Sequence, residues 1–220
     1  MSTETPDFIR NTRTSYDTIA DDFGRQFPAD GLAGLVLERA LFGAFAELVR
    51  AGGTRAPVAD LGSGPGHITA LLHDLGLPVF GVDVSPRMVE LARRNHPGLR
   101  FHVGSMTALD LPDATLGGIT ALYSIIHVPD EHLPATFTEL HRVLEPGGLL
   151  LLAFQAGAEE RLHLAERFGH EIALDYYWRD PETVVQQLVE AGFRPHSRVV
   201  REAQEGEVRP RAFLLARKEG

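Results

Sequence analysis

The hydrophobic and polar positions of this chain alternate between two periods. Short apolar runs bounded by glycine and proline are typical of strands buried on both faces, and apolar residues three and four apart are typical of helices. The runs predict strands at 57–61, 78–82, 99–103, 117–123 and 147–154. Between them, the helical spacing predicts helices at 66–75, 86–95 and 131–144. This alternation implies a parallel sheet with right-handed crossovers.

Both ends of the chain depart from the alternation. The first fifty residues predict two helices, one from Pro6 that breaks at Gly24 and Pro28, and one over 32–49. We expect them to cap an edge of the sheet. After a helix at 181–191, strands at 194–201 and 210–217 are separated only by a short turn at Gly206, so we expect them to pair antiparallel.

Residues 58–66, which read VADLGSGPG, connect the first predicted strand to a helix. Glycine has no Cβ and lets a ligand lie against bare backbone. The helix that follows begins with unpaired N–H groups and a partial positive charge. Asp83 ends the next strand, 23 residues after Asp60, where nucleotide-binding units place the acid that holds ribose hydroxyls. The segment therefore indicates an adenosine-containing cofactor.

The spacing of the glycines distinguishes between cofactors. A dinucleotide site has the pattern Gly-x-Gly-x-x-Gly, whereas this chain has Gly-x-Gly-x-Gly followed by His67. At these residues the chain resembles the class I S-adenosylmethionine-dependent methyltransferases. Residues 16–23 (Tyr-Asp-x-x-Ala-x-x-Phe) and 144–148 (Leu-Glu-Pro-Gly-Gly) are also similar to that family, and the resemblance covers roughly residues 10–217.

The resemblance implies an α/β fold. It would have a Rossmann-like seven-stranded sheet, mostly parallel, with a C-terminal antiparallel hairpin, helices on both faces and an N-terminal helical cap. We expect one domain with a helical cap (1–53), a cofactor-binding core (54–155), a lid or substrate loop (156–180) and a C-terminal helix and hairpin (181–220). The lid is expected because about 25 residues without a predicted element are unusually long for a compact domain.

The resemblance also implies S-adenosylmethionine as the cofactor. The contacts it implies are Tyr16, Asp60, Gly62, Ser63, Gly64 and Gly66 at the methionine end, Asp83 on the ribose, Val84, Met88, Gly104, Ser105 and Met106 around adenine, and Tyr123 on the loop after the fourth strand. One residue departs from the family. Many relatives have an acid where Ser105 stands, and serine would bond the adenine amino group more weakly.

Two residues are candidates for catalysis, His127 as a proton-handling group and Tyr16 by its place beside the cofactor. His127 lies in the loop after the fourth predicted strand, where side chains face the ligand crevice, and imidazole titrates near neutral pH. The resemblance places Tyr16 over the methionine end of the cofactor. The alternatives are that His127 only orients its loop and that Tyr16 belongs to an ordinary amphipathic helix.

Four aromatic or histidine side chains are candidates for binding the substrate: Phe23, His127, Tyr176 and Trp178. The rings in 156–180 would line an apolar pocket for a flat molecule, or would instead pack the lid onto the body. His163 and His170 are seven residues apart and could share a helix face. We expect no metal site, because no third ligand stands at a suitable spacing.

Composition narrows the class of partner. The 220 residues suffice for one self-contained core, and the formal net charge of −9, without a cluster of Lys and Arg, argues against nucleic acid and anionic membranes. The chain has no cysteine, no signal-peptide pattern in 1–10 and no apolar run long enough to span a bilayer. We therefore expect a cytoplasmic protein. The residues indicate no particular oligomeric state.

These observations together predict methyl transfer to an O, N or C atom of a small molecule, including an aromatic acceptor such as a phenol or indole. Two alternatives come from other functional classes. One is a non-catalytic protein that binds S-adenosylmethionine as a sensor or partner. The other is a nicotinamide-dependent oxidoreductase, against which the glycine spacing and the antiparallel finish both speak.

Overall fold

A computed structural model describes residues 5–27, 34–158 and 160–219 of the chain. Its helices are α1 (Asp7–Gln26), α2 (Val36–Ala51), α3 (His67–Asp74), α4 (Pro86–Asn95), α5 (Leu133–Val143) and α6 (Pro181–Glu190). Its strands are β1 (Val58–Leu61), β2 (Val79–Asp83), β3 (Arg100–Val103), β4 (Leu116–Leu122), β5 (Leu144–Gln155), β6 (Glu160–Arg167), β7 (His170–Trp178), β8 (Phe193–Arg201) and β9 (Arg211–Lys218). Within these described ranges, no helix has the length and apolar character needed to cross a bilayer.

Seven strands form one sheet in the order β3-β2-β1-β4-β5-β9-β8. The strands from β1 to β5 pair parallel, whereas β9 pairs antiparallel with both β5 and β8. The predicted mostly parallel sheet with an antiparallel C-terminal pair is confirmed. The strand order reverses between β1 and β4, and the carboxyl ends of strands at such a switch point form a ligand crevice.

The sheet is buried on both faces because alternate residues of its central strands point to opposite sides. In β5, Leu150 and Leu152 belong to the core cluster that includes α5 and α6. Leu149 and Leu151 belong to the cluster that includes α2 and α3. Helices therefore cover both faces, as the sequence predicts.

The N-terminal helix is longer than predicted. It continues through Gly24 to Gln26, and a Cβ on Gly24 would lie 2.8 Å from Leu91 Cδ2. Glycine at this position therefore lets α1 approach α4 closely instead of ending the helix. The predicted break at Pro28 and the predicted start of the second helix at residue 32 lie outside the described residues.

The segment 156–180, for which the sequence predicted a lid or substrate loop and no regular element, contains the two strands of a β-hairpin. β6 and β7 pair antiparallel, apart from the main sheet, around a turn in which Phe168 and Gly169 both have positive φ. Most residues of β6 are exposed, so the segment lacks the apolar alternation that marks a strand. His163 and His170 lie on different strands of the hairpin, which removes the helix face on which they could have met.

Candidate functional site

A cavity of about 810 Å³ lies at the carboxyl ends of β1, β2 and β4, beside α1 and the β6–β7 hairpin. Most residues predicted for the site line it: Tyr16, Phe23, Gly62, Ser63, Gly64, Asp83, Val84, Met88, Gly104, Ser105, Met106, Tyr123, His127 and Tyr176. Asp60, Gly66 and Trp178 do not. The topology thus brings two sequence-distant groups of candidates to one space.

The glycine loop leaves open space towards the cavity. Gly62 has φ +73°, and a Cβ there would lie 2.4 Å from Ser124 Cβ, so a side chain at this position would displace Ser124. Gly64 has φ +49° and nothing within 4 Å of its Cβ position. The hydroxyls of Ser63 and Ser124 are buried without a hydrogen-bond partner among the described residues. Buried polar atoms are normally satisfied, so these two fit a polar ligand lying against the loop.

Asp83 joins the glycine loop to the end of β2. Its Oδ2 accepts a hydrogen bond from the Gly64 N–H at 2.8 Å, and its Oδ1 accepts one from the Ser85 N–H at 2.9 Å. Burial raises the pKa of this carboxyl to about 6, against the two backbone hydrogen bonds that lower it. The ionised carboxylate has acceptor capacity left for ligand hydroxyls at neutral pH.

Asp60 lies beneath the loop instead of in the cavity. Its oxygens accept hydrogen bonds from the hydroxyls of Thr69 at 2.7 Å and Thr120 at 2.9 Å. Burial raises the pKa of Asp60 to about 6 as well. Asp60 therefore ties β1 to α3 and β4 and supports the loop, and the cofactor contact that the resemblance implies for it stays a prediction.

Gly66 also has a structural position beneath the loop. It has φ +89° at the start of α3, and a Cβ there would lie 2.7 Å from Phe101 Cζ. Glycine at this position allows both the left-handed conformation and the close approach of the Phe101 ring.

The residues that follow β2 and β3 form the wall of the cavity beside Asp83. The start of α4 is fixed by Ser85, whose Oγ accepts from the Met88 N–H at 3.0 Å and donates to Asp17 Oδ1 of α1 at 2.6 Å. Ser105 lines the cavity, and its hydroxyl lies 2.8 Å from that of Thr107. The serine that replaces the family's acid is thus already hydrogen-bonded within its own turn.

Tyr16 and His127 form a hydrogen-bonded pair across the cavity wall. Tyr16 Oη lies 2.8 Å from His127 Nε2, and His127 Nδ1 lies 2.8 Å from the backbone oxygen of Asp175. A carbonyl oxygen can only accept, so Nδ1 carries the proton and donates it to Asp175. Burial lowers the pKa of His127 to about 4, so the ring is neutral at pH 7 and its Nε2 accepts from the Tyr16 hydroxyl.

The hairpin completes this wall. The Tyr176 ring packs edge-on against His127 with centroids 4.7 Å apart, and its hydroxyl accepts a hydrogen bond from Arg167 Nη1 at 2.8 Å. Phe23 contacts the Tyr16 ring with centroids 5.7 Å apart. Trp178, which was predicted to bind substrate, lies outside the cavity, where the Arg209 guanidinium stacks on its ring at 4.0 Å.

Sequence reasoning missed a group of charged side chains that also lines the cavity. Arg201 Nε donates to Glu38 Oε1 at 3.0 Å, and its two Nη atoms donate to Glu207 at 2.8 and 3.0 Å. Arg211 Nε lies 3.3 Å from Glu207 Oε1. The Arg201 hydrogen bond lowers the pKa of Glu207 to about 2.

One signal of this group was present in the sequence. Glu38 is in register with Phe42, Phe45 and Val49 on the buried face of α2, and an acid on an apolar helix face indicates a buried partner. The arginine that pairs with Glu38 stands 163 residues away, and no local pattern marks it.

The histidines considered as metal ligands have other partners. His163 Nδ1 lies 2.9 Å from Asp175 Oδ1, and His170 Nε2 lies 3.0 Å from Asp22 Oδ2. Over the described ranges, no group of three or more His, Cys, Asp or Glu side chains is placed to hold a metal ion.

Known proteins to which this chain is similar include methyltransferases. Residues 58–148 match a methyltransferase domain. The chain is 33% identical over 98 residues to a demethylmenaquinone methyltransferase of Chlorobaculum parvum, covering 44% of this chain and 40% of that protein. It is 30% identical over 142 residues to a 2-methyl-6-phytyl-1,4-hydroquinone methyltransferase of Synechocystis, covering 63% and 40%. The match with the first of these relatives thus spans about two fifths of that protein's length.

Solved structures share the fold over the whole chain. A DhpI complex with SAH superposes with a TM-score of 0.75 at 21% identity, covering 98% of this chain and 99% of that one. The magnesium protoporphyrin IX methyltransferase of Synechocystis, solved with bound SAM, gives a TM-score of 0.70 at 17% identity, covering 99% and 100%.

Proposed function

We propose that the chain is a class I S-adenosylmethionine-dependent methyltransferase that transfers a methyl group from S-adenosylmethionine to an O, N or C nucleophile of a small molecule. The observation that carries the proposal is the opening of Gly64, beside Asp83, into the same cavity that Tyr16 and His127 line. The residues expected to bind the cofactor and those expected to handle the proton of the acceptor thus face one cavity.

The cofactor fits the residues present. The glycine loop offers backbone without Cβ, the unpartnered hydroxyls of Ser63 and Ser124 offer hydrogen bonds, and Asp83 offers carboxylate oxygens to ribose hydroxyls. We expect Val84, Met88 and the turn 104–106 to contact adenine. When bound, S-adenosylmethionine supplies a methyl group on a positively charged sulfur, already activated towards a nucleophile.

The protein then has to orient the nucleophile and accept its proton. The Tyr16 hydroxyl donates to His127 Nε2 and also shares a hydrogen bond with Tyr176, which leaves Tyr16 Oη acceptor capacity for a hydroxyl or amine of the methyl acceptor. A proton that leaves the nucleophile passes to Tyr16 Oη as the Tyr16 proton passes to Nε2. Burial makes the charged ring unfavourable, so we expect orientation to outweigh base strength in this pair.

An aromatic acceptor is supported by the lining of the wall. Phe23 and Tyr176 flank the Tyr16–His127 pair, and flat rings pack well in edge-on or offset contact with them. Two of the relatives are named for ring-containing acceptors, a demethylmenaquinone and a hydroquinone. The net charge of −9 supports a small molecule over a nucleic acid as the acceptor.

The test is a product screen with S-adenosylmethionine and a panel of phenols, indoles, quinols, aliphatic amines and aliphatic acids. Mass spectrometry would detect a product heavier by one methyl group, together with S-adenosylhomocysteine. Tyr16→Phe is expected to lower kcat at least tenfold and to leave S-adenosylhomocysteine affinity within a few-fold. Tyr177→Phe, a tyrosine of the hairpin outside the cavity, is the matched control and should keep wild-type turnover.

The results also separate the alternatives. Methylation of aliphatic compounds only would contradict the aromatic acceptor. Tight S-adenosylhomocysteine binding with no methylated product across the panel would favour the non-catalytic binding protein. Binding of NADH in place of the adenosyl ligands would favour the oxidoreductase.

A further inference from the structure

The charged side chains of the cavity are unequally paired. Arg201 pairs with Glu38 and Glu207, and Arg211 pairs with Glu207. Arg167, on β6, also lines the cavity, and across the described ranges it takes part in no ion pair. Its charge is therefore not matched by an acid of the wall.

The Arg167 side chain is nevertheless held in place. Its guanidinium carbon lies 5.7 Å from the ring centroid of Phe23, 5.9 Å from that of Phe27 and 4.9 Å from that of Phe168. Its Nη1 donates to the Tyr176 hydroxyl at 2.8 Å. A guanidinium has five N–H donors, so one hydrogen bond to Tyr176 leaves most of them for a ligand. Aromatic packing that fixes a planar fork lowers the entropy lost when the fork binds an anion.

The neighbours of Arg167 do not neutralise it. His127 is neutral at pH 7 because burial lowers its pKa to about 4, and burial raises the pKa of Tyr16 well above its ordinary value. The Arg167 charge lowers the pKa of His127 further and offsets part of the rise in the pKa of Tyr16. Arg167 is therefore within electrostatic reach of the proton-handling pair. A partly buried cation among neutral polar groups is stabilised when an anion joins it.

We propose that Arg167 binds the carboxylate of a ligand in this cavity, an inference that rests on the proposed methyl transfer. The carboxylate has two sources with the same chemistry: the methionine part of the cofactor, or an acidic group on the methyl acceptor. Bidentate guanidinium–carboxylate pairing fixes orientation as well as affinity, so Arg167 is either a cofactor contact contributed by the hairpin or the residue that selects acidic acceptors.

The test uses two pairs of probes that differ in a carboxylate. S-adenosylhomocysteine is compared with methylthioadenosine, which lacks the amino-acid part. In the presence of saturating S-adenosylhomocysteine, 4-hydroxybenzoate is compared with 4-hydroxybenzamide. Titration calorimetry is run on the wild type, on Arg167→Met and Arg167→Lys, and on Arg161→Met, which removes an arginine from the same strand but outside the cavity.

Arg167→Met is expected to weaken the binding of one carboxylate probe at least tenfold and the binding of its neutral counterpart less than threefold. Arg167→Lys should have an intermediate effect, and Arg161→Met should bind all probes as the wild type does. A loss of affinity for S-adenosylhomocysteine would show that Arg167 binds the carboxylate of the cofactor. A loss of affinity for 4-hydroxybenzoate would show that it binds a carboxylate of the methyl acceptor. The proposal is overturned if neither probe depends on residue 167 in variants whose circular dichroism matches the wild type. A wild type that binds neither adenosyl probe contradicts the proposed function itself.

Discussion

At the scale of single residues, we predict that Asp83 makes cofactor affinity depend on pH. Its pKa is raised to about 6 by burial, and only the ionised carboxylate is a full acceptor for ribose hydroxyls. The affinity for S-adenosylhomocysteine should therefore fall as the pH drops below 6, by about tenfold for each pH unit once the acid is mostly protonated. Calorimetric titrations from pH 5 to pH 8 would measure this.

Asp83→Asn is the control for this dependence, because Asp60 titrates in the same range. The Asp83→Asn variant should bind S-adenosylhomocysteine weakly, with the same affinity from pH 5 to pH 8. A pH dependence that persists in Asp83→Asn would assign the effect to Asp60, and an equal wild-type affinity at pH 5 and pH 8 would contradict the prediction.

Single residues also show what the sequence could reveal about the site. Gly62, Gly64 and Asp83 were predictable because a strand, a glycine turn and a helix in succession impose their positions locally. The hydrogen bonds of Asp60 to Thr69 and Thr120 were not predictable, because Thr120 lies on a strand 60 residues away along the chain. Arg167 was not predictable, because its place depends on how the hairpin packs.

At the scale of elements, the turn that carries His127 is held by Arg179, at the end of the hairpin. The Arg179 side chain is only 3% exposed; its Nη1 donates to Ile125 O at 3.0 Å, its Nη2 donates to Val128 O, and its Nε donates to Asp130 at 2.9 Å. Asp130 is largely exposed, so its ion pair contributes little. The buried carbonyl contacts dominate.

Arg179→Met should lower the free energy of unfolding by roughly 2–3 kcal/mol, because two buried carbonyl groups lose a charged donor. Urea denaturation would measure the change. Arg198→Met removes a half-exposed arginine that pairs with Glu182 on the surface, and it should cost less than about 0.5 kcal/mol. Equal losses in the two variants would show that Arg179 does not clamp the turn.

The elements themselves differ in how far the sequence predicts them. The central strands and the helices beside them were predictable because burial on one or both faces imposes a strict period on their side chains. The strand β6 escaped prediction because most of its residues face solvent and nothing in its composition demands a strand. Gly24 shows the reverse error, since a residue typical of helix ends serves close packing inside a helix.

At the scale of the whole molecule, ligand binding should stabilise the fold. Saturation with S-adenosylhomocysteine at about 100 times its dissociation constant adds about 2.7 kcal/mol to the free energy of unfolding. For a chain of 220 residues this corresponds to a rise in Tm of roughly 5–10 °C. Parallel melts with S-adenosylhomocysteine, S-adenosylmethionine and NADH would check it; NADH should leave Tm unchanged, and a shift with NADH alone would contradict the assignment of the cofactor.

The β6–β7 hairpin has a consequence for how this molecule can change over generations. Its two ends meet at the bridge between Ala156 and Arg179, and among the described residues its strands pair with each other and not with the main sheet. The turn of the hairpin can therefore be lengthened or shortened without shifting the register of the seven-stranded sheet, whereas the contacts of Asp175 and Tyr176 with His127 tie its second strand to the body. We therefore expect insertions and deletions among related proteins to collect at the turn of this hairpin and to spare the strands that carry the glycine loop and Asp83.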